Sequence, residues 1–415
     1  MAFCRKSSNV KEEAVFLRKK ITLTRAIALT IGTVVGSGIF IAPKGVLKNS
    51  GNVGLSLVVW LACGILSLFG ALSYADLGTS ITKSGGHYIY LLETLGPLPA
   101  FLRLWAEFVM IRPANIAVVS LAFGRYLIEP LFAPCHAPAL AVKLVTTTGI
   151  SLIIALNCWS VSWSANIQTV LAVLKMVTIG LIIVPGMMAL AEGYLLTNVS
   201  YYAVLTAEEV LASEAVAVSF VDRAFKSVSS AIPILVALSC FGSLNGGIFA
   251  AARMLFAASR EGQWPPLFSM IHSRRNTPFP ALLLMLPLTF LMVLIGDLYG
   301  LLNFYSFSRW LFIGLVTLGL MIHRYRHPEI PRPFKVPLFI PLVFTIICLF
   351  IVGMSLYSDP VNTGIGCAIT LTGLPVYYLV VQKSRIPASC SAMFNSMTVK
   401  LQVLMEVIPQ EIQTY

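Results

Sequence analysis

The stretch "IIVPGMMALAEGYLLTNVSYYAVLTAEEV", residues 182–210, decides how often this chain crosses a membrane. Its first apolar run ends at Glu192, and a second run begins at Tyr194 and soon meets acidic residues. A helix that spans a bilayer needs about 20 apolar residues, with about 17 as the lower limit. Residues 194–205 are too few to span, and the pattern leaves open a short helix, a loop or the remnant of a longer segment.

The composition of the whole chain predicts a membrane protein. Of 415 residues, 57% are hydrophobic and 11% are charged, and the mean hydropathy is +0.85. Soluble domains carry about 25% charged residues. In lipid every backbone polar group must be satisfied internally, and the long apolar runs lack the two-residue alternation of barrel strands. We therefore expect an all-α polytopic membrane protein.

Apolar runs of sufficient length indicate about ten complete spans. They lie near residues 22–43, 53–76, 100–125, 143–161, 168–190, 230–256, 279–297, 300–322, 335–356 and 362–381.

The distribution of charge gives the orientation. With the N-terminus inside, most of the 29 Lys and Arg residues fall in the tails and inner loops, which is the positive-inside bias. The net charge of +12 therefore does not require nucleic acid, and we predict no nucleic-acid partner. We divide the chain into a cytoplasmic tail (1–21), a transmembrane domain (22–382) and a second cytoplasmic tail (383–415). The connection 206–227 is predicted to lie outside and to form amphipathic surface helices.

A small-residue motif in the first span, "IGTVVGSGIFIAPKG" (31–45), has two interpretations. Such patterns usually permit close helix packing. Alternatively the helix is broken at Gly36, Ser37 and Gly38, where exposed backbone N–H groups and a half-helix N-terminus would bind a substrate carboxylate.

Three basic residues fall inside predicted spans: Arg112, Lys175 and Arg309. A Lys or Arg at a helix centre costs about 2.5–3.5 kcal/mol on insertion scales, so each needs a partner or a wet cavity. Snorkelling or structural ion pairs would satisfy this need, and Arg103 with Glu107, four residues apart, is predicted to form such a pair. Arg112 and Arg309 facing one pore would favour an anionic substrate, whereas Lys175 is predicted to be structural.

Two further residues carry open alternatives. Ser243, in "ALSCFGSLNGG" (237–247), either joins interhelical hydrogen bonds or lines a substrate path. Cys135 lies in a predicted outer loop, where thiols oxidise, so it is either a free thiol or half of an intermolecular disulfide.

Catalytic and metal-binding patterns are not found in the sequence. The eight cysteines form no Cys-x-x-Cys pair or Cys/His cluster, so we predict no metal and no cofactor. There is no nucleophile elbow and no His-Glu-x-x-His motif, and we predict that the protein is not an enzyme. Asp76 and Glu93 fall at span ends or in a loop, where we expect solvated charges.

Seven stretches together resemble the light chains of heteromeric amino acid transporters, within the amino acid–polyamine–organocation superfamily. Three of them, at 109–126, 160–168 and 306–315, are most similar to members that exchange cystine for glutamate. The likeness extends from about Lys19 to Gln382. The other four stretches are "IGTVVGSGIFIAPKGVL" (31–47), "GALSYADLGTSITKSGGHYIY" (70–90), "ALSCFGSLNGGIFAAARMLF" (237–256) and "RPFKVPLFIP" (332–341).

The resemblance implies a LeuT-like inverted-repeat fold of twelve spans and sodium-independent exchange of extracellular anionic cystine for intracellular glutamate. It places substrate at Gly36, Ser37, Gly38, Arg112, Ser243 and Arg309. Lys175 would occupy a vacant sodium position. Cys135 would form a disulfide with a single-pass glycoprotein heavy chain, which carries such complexes to the plasma membrane.

The resemblance also implies an interpretation of residues 182–210. Span six and most of span seven have no counterpart between Gly193 and Tyr194, so residues 194–205 are interpreted as a remnant. Loss of two spans leaves every later loop on its original side. Two functions follow as alternatives: an amino acid antiporter, or a non-transporting short form that binds the heavy chain and competes with the full-length exchanger. Retention in the endoplasmic reticulum is a possible fate of the short form.

Overall fold

The fold is taken from a computed structural model. It describes residues 38–81, 86–132, 137–183, 193–213, 216–224, 231–296, 298–330, 332–378 and 388–409.

Within these ranges the chain is almost entirely helical. The helices are α1 Gly38–Ser50, α2 Val53–Ser80, α3 His87–Leu95, α4 Pro97–Ala106, α5 Arg112–Phe132, α6 Ala139–Trp159, α7 Val161–Ile183, α8 Gly193–Val204, α9 Ala207–Ala212, α10 Val216–Ala224, α11 Ala231–Arg260, α12 Phe279–Ile295, α13 Leu298–Arg326, α14 Phe339–Ser358, α15 Pro360–Leu371, α16 Gly373–Val376 and α17 Ala388–Leu404. A π-helical turn, Glu107–Ile111, joins α4 to α5, and a 3-10 turn, Pro266–Ser269, precedes strand β1, Met270–His272. Strand β2 is Val407–Pro409.

Six helices of the described residues are long and apolar enough to cross a membrane. The all-α polytopic class is thereby confirmed. Most of the predicted first span lies outside the described residues, and the predicted seventh span is the shorter apolar helix α12. The six are Val53–Ser80, Pro97–Phe132, Ala139–Trp159, Pro233–Arg260, Leu298–Arg326 and Phe339–Ser358.

Burial separates central helices from peripheral ones. In the Pro97–Phe132 span 72% of the apolar stretch is buried, and in Pro233–Arg260 the share is 61%. In α2 and α14 only 11% and 22% are buried. Since large apolar side chains cannot face water over such areas, α2 and α14 present them to lipid. The spans that contain α5 and α11 form the centre, and these two helices pack against each other.

Local signals in the sequence set several helix ends. The Asn52 side chain accepts a hydrogen bond from the N–H of Leu55 (2.7 Å) and caps the start of α2. Gly96, at φ +95°, makes the sharp turn between α3 and α4, a conformation that side-chain-bearing residues rarely adopt. Pro97 then begins α4, where its missing N–H costs nothing.

The C-terminal tail returns to the transmembrane part. Strand β2 pairs antiparallel with β1, with Ile408 opposite Ile271, and Val407 packs on Leu267 and Met270. The loop that carries β1 and the tail that carries β2 are both predicted to lie inside, so this contact agrees with the predicted parity of the spans.

The connection after α8 contains two short helices, as the sequence predicts. Thr206 and Glu209 form a reciprocal capping box at the start of α9, with 2.7 Å from the Thr206 N–H to Glu209 Oε2. Glu209 also pairs with Arg223 of α10. The hydrogen bonds from Thr206, with a smaller contribution from Arg223, lower the pKa of the Glu209 carboxyl.

The short run at the junction, residues 194–205, is helical, since α8 spans Gly193–Val204. At about 1.5 Å per residue its 12 residues extend about 18 Å, less than the ~30 Å hydrocarbon core. Tyr201 is buried edge-on against Phe220, and the Tyr202 hydroxyl lies 2.8 Å from Ser56 Oγ of α2. This helix packs on α2 but is too short to span.

The expectation that Asp76 is a solvated charge is wrong. Its side chain is fully buried and pairs with Arg324 and Arg332, with 3.3 Å to the latter. The N–H of Val336 donates at 2.9 Å to Asp76 Oδ2, the oxygen that also accepts from Arg324. Asp76 therefore joins the end of α2 to the loop after α13, a partnership across about 250 residues that composition at a span end does not reveal.

Candidate functional site

The central feature of the site is the break in helix geometry before Arg112. The N–H of Arg112 bonds to the carbonyl of Glu107, five residues back, which defines the π-turn. Pro113 follows directly, and a proline inside a helix would clash with the carbonyl four residues earlier. The wider turn accommodates this proline, and π-turns frequently occur at functional sites.

The π-turn brings three charged side chains together. Glu107 pairs with Arg103, as its spacing predicts, and also accepts a hydrogen bond from Nε of Arg112 at 2.5 Å. The side chains of Arg103 and Glu107 are 8% and 5% exposed, whereas that of Arg112 is 27% exposed. Arg112 is therefore the member of this cluster that a ligand can reach.

A cavity of about 370 Å³ opens beside this cluster. Four of the predicted substrate residues line it, although they come from four different helices: Gly38, Arg112, Ser243 and Arg309. Gly38 is the first residue of α1. Gly36, Ser37 and Cys135 lie outside the described residues.

Ser243 connects the cavity to a buried lysine. Lys175 is 1% exposed, and its Nζ donates to Ser243 Oγ at 2.7 Å. Ser243 makes an interhelical hydrogen bond and also lines the cavity. The buried Lys175 side chain therefore contacts a residue of the cavity wall from outside the cavity.

Two residues after Ser243, a neutral network holds the same helices in register. Asn245 accepts from Asn157 Nδ2 (2.8 Å) and from Ser164 Oγ (3.0 Å), and donates to Gln168 Oε1 (3.0 Å). These four residues are buried. Because buried polar groups are costly unless paired, the network fixes α11 against α6 and α7 and hence the height of Ser243.

Three residues of the cavity wall were not predicted to belong to the site, although Glu107 was predicted to pair with Arg103. Glu107, His87 and Asn115 line it with the predicted residues. The hydroxyl of Tyr74 lies 2.9 Å from His87 Nδ1, and Tyr305 donates to Asn115 Oδ1 at 3.2 Å. An available signal was the sequence Glu107–Pro113 itself, where a carboxylate precedes a mid-span Arg-Pro pair.

The cavity carries the electrostatics of an anion site. Three guanidinium groups and one carboxylate line it, from Arg103, Arg112, Arg309 and Glu107, which leaves two positive charges in excess. Guanidinium groups stay charged and bind carboxylates in planar pairs. In a low-dielectric surrounding such an excess strongly favours a small anion with hydrogen-bonding groups.

Comparison with known proteins shows one family. The model of the amino acid permease family matches residues 21–194 and residues 193–381, so that the two matches meet at Gly193 and Tyr194.

Three relatives are similar over nearly their whole length. The cystine/glutamate transporter of Homo sapiens is 48% identical, over 96% of this chain and 93% of that protein. The large neutral amino acids transporter small subunit 2 of Mus musculus is 35% identical, over 96% and 88%. The b(0,+)-type amino acid transporter 1 of Homo sapiens is 35% identical, over 95% and 94%.

The first of these alignments covers 464 positions, which is more than the 415 residues of this chain. Some positions of that relative therefore have no counterpart here.

Proposed function

Since this chain belongs to the amino acid permease family, we propose that it is the light chain of an antiporter that imports anionic cystine in exchange for intracellular glutamate. The chain is a polytopic membrane transporter and not an enzyme. The observation that carries the substrate assignment is the convergence of Arg112 and Arg309 on one cavity with Gly38 and Ser243. Cystine as a monoanion and glutamate share an α-carboxylate, an ammonium group and one net negative charge.

The proposed binding mode follows from the chemistry of the wall. Arg112 and Arg309 would receive the carboxylates, and Ser243 would offer a hydroxyl. Backbone N–H groups of the small-residue motif at Gly36, Ser37 and Gly38 would bind the α-carboxylate, in the way that half-helix N-termini hold anions. The relative named cystine/glutamate transporter supports the choice of substrates.

Lys175 supports sodium-independent exchange. The Nζ of buried Lys175 donates to Ser243 Oγ, so in its protonated form this side chain would place a positive charge beside the substrate. A sodium ion near it would meet like-charge repulsion at low dielectric. We therefore propose that exchange by this chain requires no bound cation.

The junction at Gly193 is proposed to be an internal loss of two spans. The family match divides there, the alignment to the human relative is longer than this chain, and α8 is too short to cross the bilayer. Inverted-repeat transporters build their site between two broken helices. The second broken helix would be missing here, and with it half of the substrate site.

Uptake of labelled cystine tests both points. The chain and a version with the missing segment restored would each be reconstituted with the heavy chain in glutamate-loaded proteoliposomes. We expect uptake by the restored version that does not depend on sodium. No uptake by it would contradict the antiporter proposal. Equal uptake by both versions would show that transport does not need the missing segment.

The divided family match favours a second candidate, a short form that binds the heavy chain without transporting. We propose that Cys135 forms the disulfide and that the complex reaches the plasma membrane, or is retained in the endoplasmic reticulum if the shortened bundle fails quality control. A non-reducing gel should show a reducible complex that Cys135→Ser abolishes. A complex that survives this substitution would contradict the assignment of Cys135.

A further inference from the structure

The substrate cavity contains one acidic side chain among its basic ones, and its position has a consequence for specificity. Glu107 lines the cavity wall together with Arg103, Arg112 and Arg309. Its side chain is 5% exposed, so a ligand senses it mainly through its charge. Resting on the proposed function, we propose that Glu107 is a specificity-determining residue that lowers the net positive charge of the cavity and so limits its preference for anionic over neutral amino acids.

The π-turn makes this role possible. In a regular α-helix, residues five apart point about 140° away from each other, so Glu107 and Arg112 would face different neighbours. In the π-turn the carbonyl of Glu107 accepts from the N–H of Arg112, and Glu107 Oε1 accepts from Arg112 Nε. Glu107 is thereby held directly behind the guanidinium that reaches the cavity.

The hydrogen bond between Arg112 Nε and Glu107 determines which donors of Arg112 remain for a ligand. A guanidinium offers five N–H donors in a fixed fork. Since Glu107 binds Nε at 2.5 Å, the donors of the two Nη groups remain for a ligand carboxylate. The Arg112 side chain is 27% exposed, and no other hydrogen bond joins it to the described residues.

The charge balance gives the substrate class. With Glu107 present, the wall has an excess of two positive charges over these four residues. An amino acid with a second carboxylate adds one net negative charge, which this wall favours over its neutral amide analogue. Removal of the Glu107 charge adds one positive charge close to the ligand, which would increase the preference for the anion further.

The test uses glutamate and glutamine, which have the same shape and differ by one charge. Dissociation constants for both are measured by displacement of labelled glutamate from the chain purified with its heavy chain. For Glu107→Gln we expect the ratio of the glutamine to the glutamate dissociation constant to increase about fivefold. This is the effect expected when one more net positive charge interacts with the ligand through a partly screened distance. The matched control, Glu208→Gln, removes the same charge at an exposed position outside the cavity and should leave the ratio unchanged.

Two further variants separate charge from structure. Glu107→Asp keeps the charge and should keep the ratio, even if both affinities change. The pair Arg103→Gln with Glu107→Gln restores the cavity charge and should return the ratio to the original value. If the role of Glu107 were purely structural, Glu107→Gln would weaken the binding of glutamate and of glutamine by the same factor.

The outcomes also separate this inference from the proposed function. A ratio within twofold of the original value in Glu107→Gln, with glutamate still bound, would overturn the role of Glu107 alone. If the original chain binds neither ligand, and the version with the restored segment does not either, the proposed function fails and this inference fails with it.

Discussion

Among the residues that the structure describes, two clusters consist of one carboxylate between two guanidinium groups, and they differ in whether a ligand can reach them. At the end of α2, Asp76 pairs with Arg324 and Arg332, whose side chains are 10% and 7% exposed. This cluster is sealed. At the π-turn, Glu107 pairs with Arg103 and with Arg112, which is 27% exposed and lines the cavity.

The comparison shows that the residue types of an ion-pair cluster do not by themselves indicate whether the cluster binds a ligand. Both clusters solve the same problem, since a charge inside the bilayer needs a partner. In the sealed cluster both guanidinium groups are directed at the buried carboxylate, and the N–H of Val336 adds a further bond to Asp76. The open cluster leaves donors of Arg112 toward a cavity. The exposure of one side chain therefore distinguishes a cluster that can bind a ligand from one that only connects two segments of the chain.

The largest expected effect on stability is at the sealed cluster. Asp76→Asn removes the charge between two buried guanidinium groups, and breaking a buried pair costs about 3–5 kcal/mol. Thermal unfolding in detergent should show a large decrease in Tm. The control Glu329→Gln, at an exposed position of the same loop, should change Tm little. If Asp76→Asn and Glu329→Gln changed Tm equally, the ion pairs of Asp76 would not be important for stability.

The next effect is on binding. Arg112→Ala removes the exposed member of the open cluster and leaves Glu107 with Arg103. A charged hydrogen bond is worth about 1.5–3 kcal/mol, so glutamate affinity should fall by about ten- to hundredfold. The Tm should fall less than in Asp76→Asn. Arg326→Ala, an exposed arginine at the end of α13, is the control for loss of charge. If Arg112→Ala left the glutamate affinity unchanged, Arg112 would not be a substrate-binding residue.

The neutral network at Asn245 gives an intermediate effect. Asn245→Ala leaves Asn157, Ser164 and Gln168 without their shared partner, and such buried groups cost about 1–3 kcal/mol. Urea or thermal unfolding measures the loss. Asn395→Ala, at an exposed position of α17, serves as the matched control. A loss as large as that of Asp76→Asn would mean that charge is not what distinguishes the sealed cluster.

The smallest effect is expected at the other end of α2. Tyr202→Phe removes one hydroxyl that lies 2.8 Å from Ser56 Oγ, and a single neutral hydrogen bond contributes about 0.5–1.5 kcal/mol. Ser56→Ala should give a similar change, and the double variant should cost little more than either alone. Additive effects in this cycle would show that the hydrogen bond between α8 and α2 does not contribute.

The success of sequence reasoning in this chain depends on how local each interaction is. The pair of Arg103 and Glu107 follows from a spacing of four residues, and the structure contains it. The second partner of Glu107 was not predicted, because it requires a π-turn that the α-helical spacing rule does not describe. The burial of Asp76 was predicted wrongly, because its partners lie about 250 residues away in the chain. The short strands, three residues each, give no pattern above that of a loop or a tail.

The sequence by itself determined the membrane class, the approximate positions of the apolar helices, the charges inside them and the place where the family pattern is interrupted. The first three properties come from composition and from periodicity within about 20 residues, which one helix in lipid imposes on its own sequence. The interruption is seen only through the resemblance to a known family. Only the tertiary structure decided which charges share a cavity, which are sealed, and that Ser243 meets Lys175. Those relations depend on the packing of helices that are distant in the chain, and the spacing of residues along a single helix does not contain that information.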